Sequence, residues 1–216
     1  EGQRIRVQAT DPGFARDIAT WAQNTGNSLL DLKQEKGRIT AVLAKGKAAP
    51  ELRVSESGAL PRGKTIIVFD GNLDHAMASM IIANGAAAMG QPVSMFFTFW
   101  GLNLLRRPEP VRVQKTFIER MFGWMMPRGA RRTKLSQLNM GGAGTALMKH
   151  VMRSKNIESL GSLIASAQQA GVKMIACQMT MDMMGIKPEE LIDGVEIGGV
   201  ATMIGETDKG NATWFI

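Results

Sequence analysis

The chain of 216 residues carries a net charge of +7, and its 44% of hydrophobic and 21% of charged residues are ordinary for a globular protein of one or two domains. A single cysteine excludes an intramolecular disulfide, and no stretch reaches the ~20 apolar residues needed to cross a bilayer. Nothing in the composition requires an oxidising compartment, so we expect a cytoplasmic protein.

The basic balance is compatible with nucleic acid, anionic lipid or an anionic substrate as the partner. Tyrosine is absent and only 6% of the residues are aromatic. This shortage argues against a base-stacking surface, and we expect no nucleic-acid partner. The first residue is Glu1 rather than methionine, and a strand-like run follows almost at once. We therefore expect further residues upstream in the natural polypeptide.

The N-terminal part has the pattern of one strand, one helix and two more strands. The strand-like runs lie at 4–9, 28–33 and 38–44. Asp11 can cap a helix with Pro12 at its first position, and Gly26 with Asn27 ends it. The apolar face of this helix is formed by Phe14, Ile18 and Trp21.

The rest of the chain alternates strands and helices. Strand-like runs lie at 64–71, 93–99, 172–177, 199–205 and 212–216, and helical patterns at 73–89, 144–154 and 159–170. This alternation predicts a parallel sheet with right-handed crossovers. We expect an α/β domain of three layers with a flavodoxin-like sheet.

Three segments follow from these patterns. Residues 1–47 form an incomplete α+β domain, because so few elements leave one sheet face poorly covered. Residues 48–63 are rich in Gly, Pro, Ser and Ala and read as a linker. Residues 64–216 form the α/β domain.

Cys177 is the residue most strongly indicated as a functional site. It ends a predicted parallel strand just before a helix, at the sheet edge where ligands gather in α/β folds. Helix amides there lower the pKa of a thiol, and the Thr180 hydroxyl can donate to the sulfur or cap the helix. A buried structural cysteine is the alternative interpretation.

Polar residues at the end of the first α/β strand provide supporting candidates. Asp70, Gly71 and Asn72 close that strand at the same predicted edge, where their amides can approach the cysteine or simply form a turn and helix cap. His75 follows in the first helical turn and could pair with Cys177 to activate the thiol.

Two glycine-containing segments and the histidines give weaker signals. Gly142, Gly144 and Thr145 precede a helix, where amides can bind an anion, although a hinge is the preferred interpretation. Gly198 and Gly199 are read as a tight turn into a strand. The two histidines lie far from other candidate ligands, so we expect no metal.

The segment 100–134, called the arm below, combines apolar residues at helical spacing with many cations. Such a pattern is typical of a membrane-surface helix or of a helix that meets an acidic partner. Packing on the same domain or on a second subunit is the favoured alternative. The residues concerned are Trp100, Phe117, Met121, Trp124, Arg128, Arg131 and Arg132.

The α/β part resembles the DsrE/DsrF/DrsH-like sulfur-relay family. The similarity is carried by KTIIVFDGNLDHAMASMIIANGAAAMGQPVSMFFTFWGLNLL at 64–105, IACQMTMDMMGI at 175–186 and GVEIGGVATMIGE at 194–206. The resemblance covers residues 64–216. It implies that sulfur is carried as a persulfide on Cys177 and passed between thiols, with no cofactor in these residues and with assembly into a homo-oligomer.

The segment VQATDPGFARDIATWAQNTGNSLL at 7–30 resembles the second half of a TusA-like (SirA-like) domain. The family's C-P-x-P motif is absent, and Ala22 stands where relatives often have a second cysteine. These residues therefore cannot carry sulfur themselves. Similar tandem pairs end longer polypeptides of the CoA-disulfide-reductase and rhodanese type.

The resemblance implies sulfurtransferase-like transfer, with rhodanese-like or TusA-like proteins or low-molecular-weight persulfides as donors and acceptors. Two alternatives remain open. One is a peroxiredoxin-like or disulfide-reductase-associated redox protein. The other is an oligomerisation or membrane-surface docking module that uses the arm.

Overall fold

The computed structural model describes residues 3–10, 14–35, 38–46 and 63–216. The chain divides into two compact units, Glu1–Ala59 and Leu60–Ile216. The predicted helix cap at Asp11 and Pro12 lies outside the described residues, and so does nearly all of the predicted linker.

The N-terminal unit contains a three-stranded antiparallel sheet in the order β1-β3-β2. Its elements are β1 (Arg4–Ala9), α1 (Phe14–Asn24), β2 (Ser28–Glu35) and β3 (Arg38–Ala44). Helix α1 packs Ile18 and Ala22 on Ala41 and Leu43 of β3, which gives a small apolar core. The predicted order of strand, helix, strand and strand is confirmed.

The C-terminal unit is built on five parallel strands in the order β7-β6-β5-β4-β8. These strands are β4 (Gly63–Val68), β5 (Val93–Phe97), β6 (Lys173–Cys177), β7 (Val195–Gly198) and β8 (Gly210–Phe215). The helices are α2 (Leu73–Ala88), α3 (Phe117–Met125), α4 (Ala143–Ser154), α5 (Leu160–Gln169), α6 (Gln178–Met184) and α7 (Val200–Asp208). This is the expected three-layer flavodoxin-like arrangement.

Alternate residues of the strands point to the two faces of the sheet. In β6, Met174 and Ala176 belong to the large core shared with α2 and α5. Ile175 and Cys177 belong to a smaller cluster on the opposite face, where Met203 of α7 packs on it. The cysteine therefore lies on the more thinly covered face of the sheet.

The predicted strand at 199–205 is wrong, because these residues lie in the helix α7. The strand beside β6 comes earlier and pairs Cys177 with Gly198. Gly199 precedes α7 instead of leading into a strand, so the predicted turn there is also wrong. The β-branched content suggested a strand, yet the apolar side chains recur at helical spacing, at Val200, Met203 and Ile204.

The arm begins inside the fold and then runs along its surface. A short 3-10 helix, Phe99–Leu105, is mostly buried. The next helix, α3, starts with a capping box between Thr116 and Glu119 and has no buried residue. Lys187 bonds the Glu119 carboxylate at 2.8 Å and holds the pKa of Glu119 at about 2. Helix α3 is thus tied by its polar side to the segment that follows α6.

Both ends of α3 are held by one buried carboxylate. Glu190 is 1% exposed and pairs with Arg106 at 3.4 Å, with Lys115 at 2.5 Å and with Arg128 at 3.3 Å. Burial raises the pKa of Glu190, but these cations and the Lys187 amide outweigh it and lower that pKa. Arg106 is fully buried, and the Glu190 carboxylate offsets the cost of burying its charge.

We predict that Glu190→Gln lowers the free energy of unfolding by about 3–5 kcal/mol, because it leaves buried cations without their anion. Glu189→Gln removes an exposed neighbouring carboxylate and should change stability by less than about 0.5 kcal/mol. Denaturant unfolding of both variants measures the difference. Equal stability of the two variants would contradict the assignment of Glu190 as the anchor.

Candidate functional site

Cys177 is the last residue of β6 and stands immediately before α6. Its side chain is 2% exposed and packs with Phe96 and Ile175, while Met203 of α7 covers the cluster. The thiol therefore lies beneath α7 at the carboxyl edge of the sheet, which is the edge predicted from its position at the end of a strand.

Two threonine hydroxyls flank the sulfur. Thr98 follows β5 and Thr180 lies in α6, and their oxygens are 3.0 Å apart. The Phe99 amide donates to the Thr180 oxygen at 3.2 Å. Only one hydroxyl proton can lie between the two oxygens, so the other proton is free to be donated to the sulfur. Both threonines are buried, which protects this arrangement from water.

Phe99 holds the backbone in the conformation that this network needs. Its φ is +44°, a conformation that bulky residues rarely adopt. The ring packs against Phe69 with centroids 5.0 Å apart. Phe99 thus directs its amide toward Thr180, while its ring packs on Phe69 directly after β4. Backbone outliers of this kind cluster at functional sites.

The surroundings favour the ionised form of Cys177. Burial raises the pKa of the thiol, but the hydroxyl and amide of Thr180, the Thr98 hydroxyl and the Met179 amide outweigh it. The pKa therefore lies below its ordinary value. The Thr98 and Thr180 hydroxyls, whose oxygens lie 3.0 Å apart, are the side-chain groups that take part in this stabilisation.

The residues at the end of β4 form a separate group. His75 Nδ1 lies 2.8 Å from Asp70 Oδ2, and Asp70 also accepts from the amide and side chain of Asn72. Burial raises the pKa of Asp70, but the Asn72 amide and the His75 ring outweigh it. Strand β5 lies between β4 and β6. The structure therefore pairs His75 with Asp70 and not with Cys177.

Gly71 has a packing role at this edge. A Cβ at Gly71 would lie 2.6 Å from the carbonyl oxygen of Trp100. The turn after β4 therefore fits against the start of the arm only because residue 71 lacks a side chain. The amide expected to approach the cysteine, that of Asn72, is used by Asp70 instead.

The glycine run before α4 does not offer amides to an anion. The amides of Gly142 and Gly144 both donate to the Asn139 carbonyl. Thr145 accepts from the Leu135 amide at 2.9 Å and donates to the Asn139 side chain at 2.8 Å. The weak anion-site prediction is therefore corrected: hydrogen bonds within the chain already occupy this turn.

Within the arm, helix α3 presents its apolar residues to solvent. Phe117 is 80% and Trp124 86% exposed, and Trp100 and Met121 are also exposed. Arg128 is held at Glu190, whereas Arg131 and Arg132 project at the surface. Subunit contact and membrane contact of the arm stay predictions. In the described parts of the chain no helix is long and apolar enough to cross a membrane.

Residues 3–10, 14–35, 38–46 and 63–216 hold no group of three or more His, Cys, Asp or Glu side chains placed to bind a metal ion. Two residues of the cysteine site were missed by sequence reasoning, Thr98 and Phe99. Thr98 interrupts the apolar run that ends β5, which is a detectable signal. The backbone strain at Phe99 leaves no trace in the sequence.

The chain matches two sequence families. Residues 62–215 match the DsrE/DsrF/DrsH-like family, and residues 1–45 match the sulfurtransferase TusA family. The uncharacterized protein YrkE of Bacillus subtilis (strain 168) is 47% identical over 70% of this chain and 95% of its own.

Two further similarities concern the C-terminal unit. The sulfur carrier protein DsrE2 of Allochromatium vinosum is 41% identical over 66% of this chain and 92% of its own. The crystal structure of the ychN protein from E. coli aligns with 71% of this chain and 99% of its own, at 12% identity and a TM-score of 0.42.

We predict that Thr180→Val raises the pKa of Cys177, because the isosteric side chain cannot donate to the thiolate. Thr213→Val, at an exposed position of β8, should leave that pKa unchanged. Thiolate absorbance near 240 nm against pH is a clean readout, since the chain has one cysteine and no tyrosine. Identical titration curves for the wild type and Thr180→Val would exclude a role of the hydroxyl.

Proposed function

Because the chain belongs to the DsrE/DsrF/DrsH-like family over residues 62–215, we propose that it is a sulfur carrier that holds sulfane sulfur as a persulfide on Cys177. Membership of this family and the TusA match give it a place in sulfur relay. The observation that carries the finer proposal is the position of Cys177 at the carboxyl end of β6, immediately before α6 and beside the hydroxyl pair of Thr98 and Thr180.

Loading is a displacement at sulfur. The Cys177 thiolate attacks the terminal sulfur of a donor persulfide, R–S–SH, and its electron pair forms the new S–S bond. The old S–S bond breaks, and its electron pair leaves with the donor sulfur as R–S⁻, which takes up a proton from water. Cys177 then carries –S–SH. Unloading is the same displacement by an acceptor thiolate, so neither step needs a cofactor or an external oxidant.

The hydroxyl pair acts on both charged states of this cycle. Before loading, it stabilises the thiolate that attacks. After loading, the terminal sulfur is the anion, and it lies one bond further from β6, so the one free hydroxyl proton can be donated to the inner or the outer sulfur. The site thus favours an anionic sulfur throughout, which a carrier needs to stay reactive.

Access to the thiol is controlled by the cover of α7. No residue of α7 is buried, and Gly205 within it makes no contact that requires a glycine. A helix with few buried contacts and an internal glycine has low local stability. We therefore infer that α7 shifts to let donor and acceptor reach Cys177, since Met203 otherwise covers the cluster.

The donor and acceptor are proposed to be thiols of rhodanese-like or TusA-like proteins or of small persulfides. A peroxiredoxin-like activity is less well supported, because the chain has one cysteine and no resolving thiol. In a peroxiredoxin-like reaction, peroxide would convert Cys177 to a sulfenic acid, and an external thiol would have to reduce it.

The test is intact-protein mass spectrometry after incubation with glutathione persulfide. The wild type should gain the mass of one sulfur atom, and dithiothreitol should remove it. Cys177→Ala should gain none, and Thr213→Val should load like the wild type. A separate incubation with hydrogen peroxide and dithiothreitol distinguishes the redox alternative. Peroxide consumption at turnover rates, together with no sulfur gain from the persulfide, would reject the carrier proposal.

A further inference from the structure

A cavity of about 520 Å³ lies at the carboxyl ends of β4 and β5, outside the cysteine site. The turn after β4 forms one wall, and the arm closes over it. The cavity is lined by Asp70, Gly71, Asn72, Trp100, Asn103, Trp124, Met125, Met126, Pro127, Arg132, Thr133 and Lys134. Crevices at this edge of a parallel sheet are where α/β folds bind ligands, and the volume suits a small molecule.

The charge of the cavity favours an anion. Arg132 and Lys134 line it, and within the described ranges neither side chain has a carboxylate or hydrogen-bond partner. The carboxylate on the opposite wall, Asp70, is occupied by Asn72 and His75. Among the described residues that line the cavity, two cations without a carboxylate partner therefore outnumber the single acidic group.

The backbone that carries these two cations is anchored on the domain. The Thr133 side chain is buried and donates to the Ala130 carbonyl at 2.9 Å. The Lys134 carbonyl accepts from the Leu73 amide, at the start of α2, at 2.8 Å. The main chain at 133 and 134 is therefore anchored on the domain, which keeps the attachment points of both cations beside the cavity.

Apolar side chains form part of the remaining wall. Trp100 and Trp124 line the cavity, and both keep large exposed surfaces, at 53% and 86%. Trp100 follows β5, the strand next to β6 that ends at Cys177. With strands about 4.8 Å apart, the end of β4 is about 10 Å from that of β6. An extended molecule of tripeptide length spans this distance.

We propose that this cavity binds the anionic part of a low-molecular-weight thiol whose persulfide delivers sulfur to Cys177. The proposal rests on the proposed function for the identity of the sulfur group, but the binding of the anion stands by itself. Carboxylate or phosphate groups of the ligand pair with Arg132 and Lys134, its apolar part packs on the tryptophans, and its sulfur points along the sheet edge.

Glutathione and coenzyme A are the probes, added to the full chain, and tryptophan fluorescence with calorimetry reports binding. At least one probe should bind saturably to the wild type and equally to Cys177→Ala. Arg132→Gln combined with Lys134→Gln should weaken that binding about tenfold or more, because charge-assisted hydrogen bonds are lost. The matched control, Arg112→Gln with Arg120→Gln, removes the same charge from exposed arm positions outside the cavity and should bind like the wild type.

Binding failure and transfer failure are separable. No saturable binding of either probe, or equal weakening by the control pair, overturns the cavity proposal. Sulfur loading from the persulfide of the probe that binds, at the wild-type rate in the Arg132 and Lys134 variant, also overturns it, while leaving the carrier proposal intact. Saturable binding that depends on these two cations, without any loading of Cys177, supports the cavity and rejects the carrier proposal instead.

Discussion

The placement of two threonine hydroxyls beside one buried sulfur is the constraint on which the rest of the site depends. A thiol that is 2% exposed would ordinarily stay protonated, because burial disfavours the thiolate. The hydroxyls of Thr180 and Thr98, with the amides of Thr180 and Met179, outweigh burial and lower the pKa of the thiol. The two threonines meet because β5 and β6 are neighbours in the sheet. The parallel order of the strands is therefore what turns a core cysteine into a group suited to sulfur chemistry.

Around Cys177 the strands and the arm are tightly held, whereas the helix that covers the thiol is only lightly packed. Gly198, paired with Cys177 across the sheet, has no room for a Cβ beside Ile175 and Thr202. The arm is pinned at Glu190 on the side of the large core. By contrast, α7 has no buried residue on the face that covers the thiol. The proposed access to Cys177 is therefore through α7, and a shift of α7 leaves the hydroxyls of Thr98 and Thr180 in place.

Much of this arrangement could be predicted from the sequence, because it is local. A cysteine ending an apolar run, with a threonine three residues later, indicated both the edge position and the Thr180 contact. Thr98 lies 79 positions before Cys177, so only the strand order brings them together. The strand predicted at 199–205 failed because β-branched residues there obscured a helical spacing. His75 was placed near the cysteine because sequence could not show that β5 lies between them.

The most direct measurement of the central claim is the pH dependence of the rate of sulfur uptake from glutathione persulfide, taken on wild type and Thr180→Val with the same donor. If the thiolate held by the hydroxyls is the attacking group, the wild-type rate should follow the ionisation of Cys177, with its midpoint below that of an ordinary thiol. The profile of the variant should move to higher pH by the same interval as its thiolate titration. Profiles that coincide, while the titrations differ, would contradict the account.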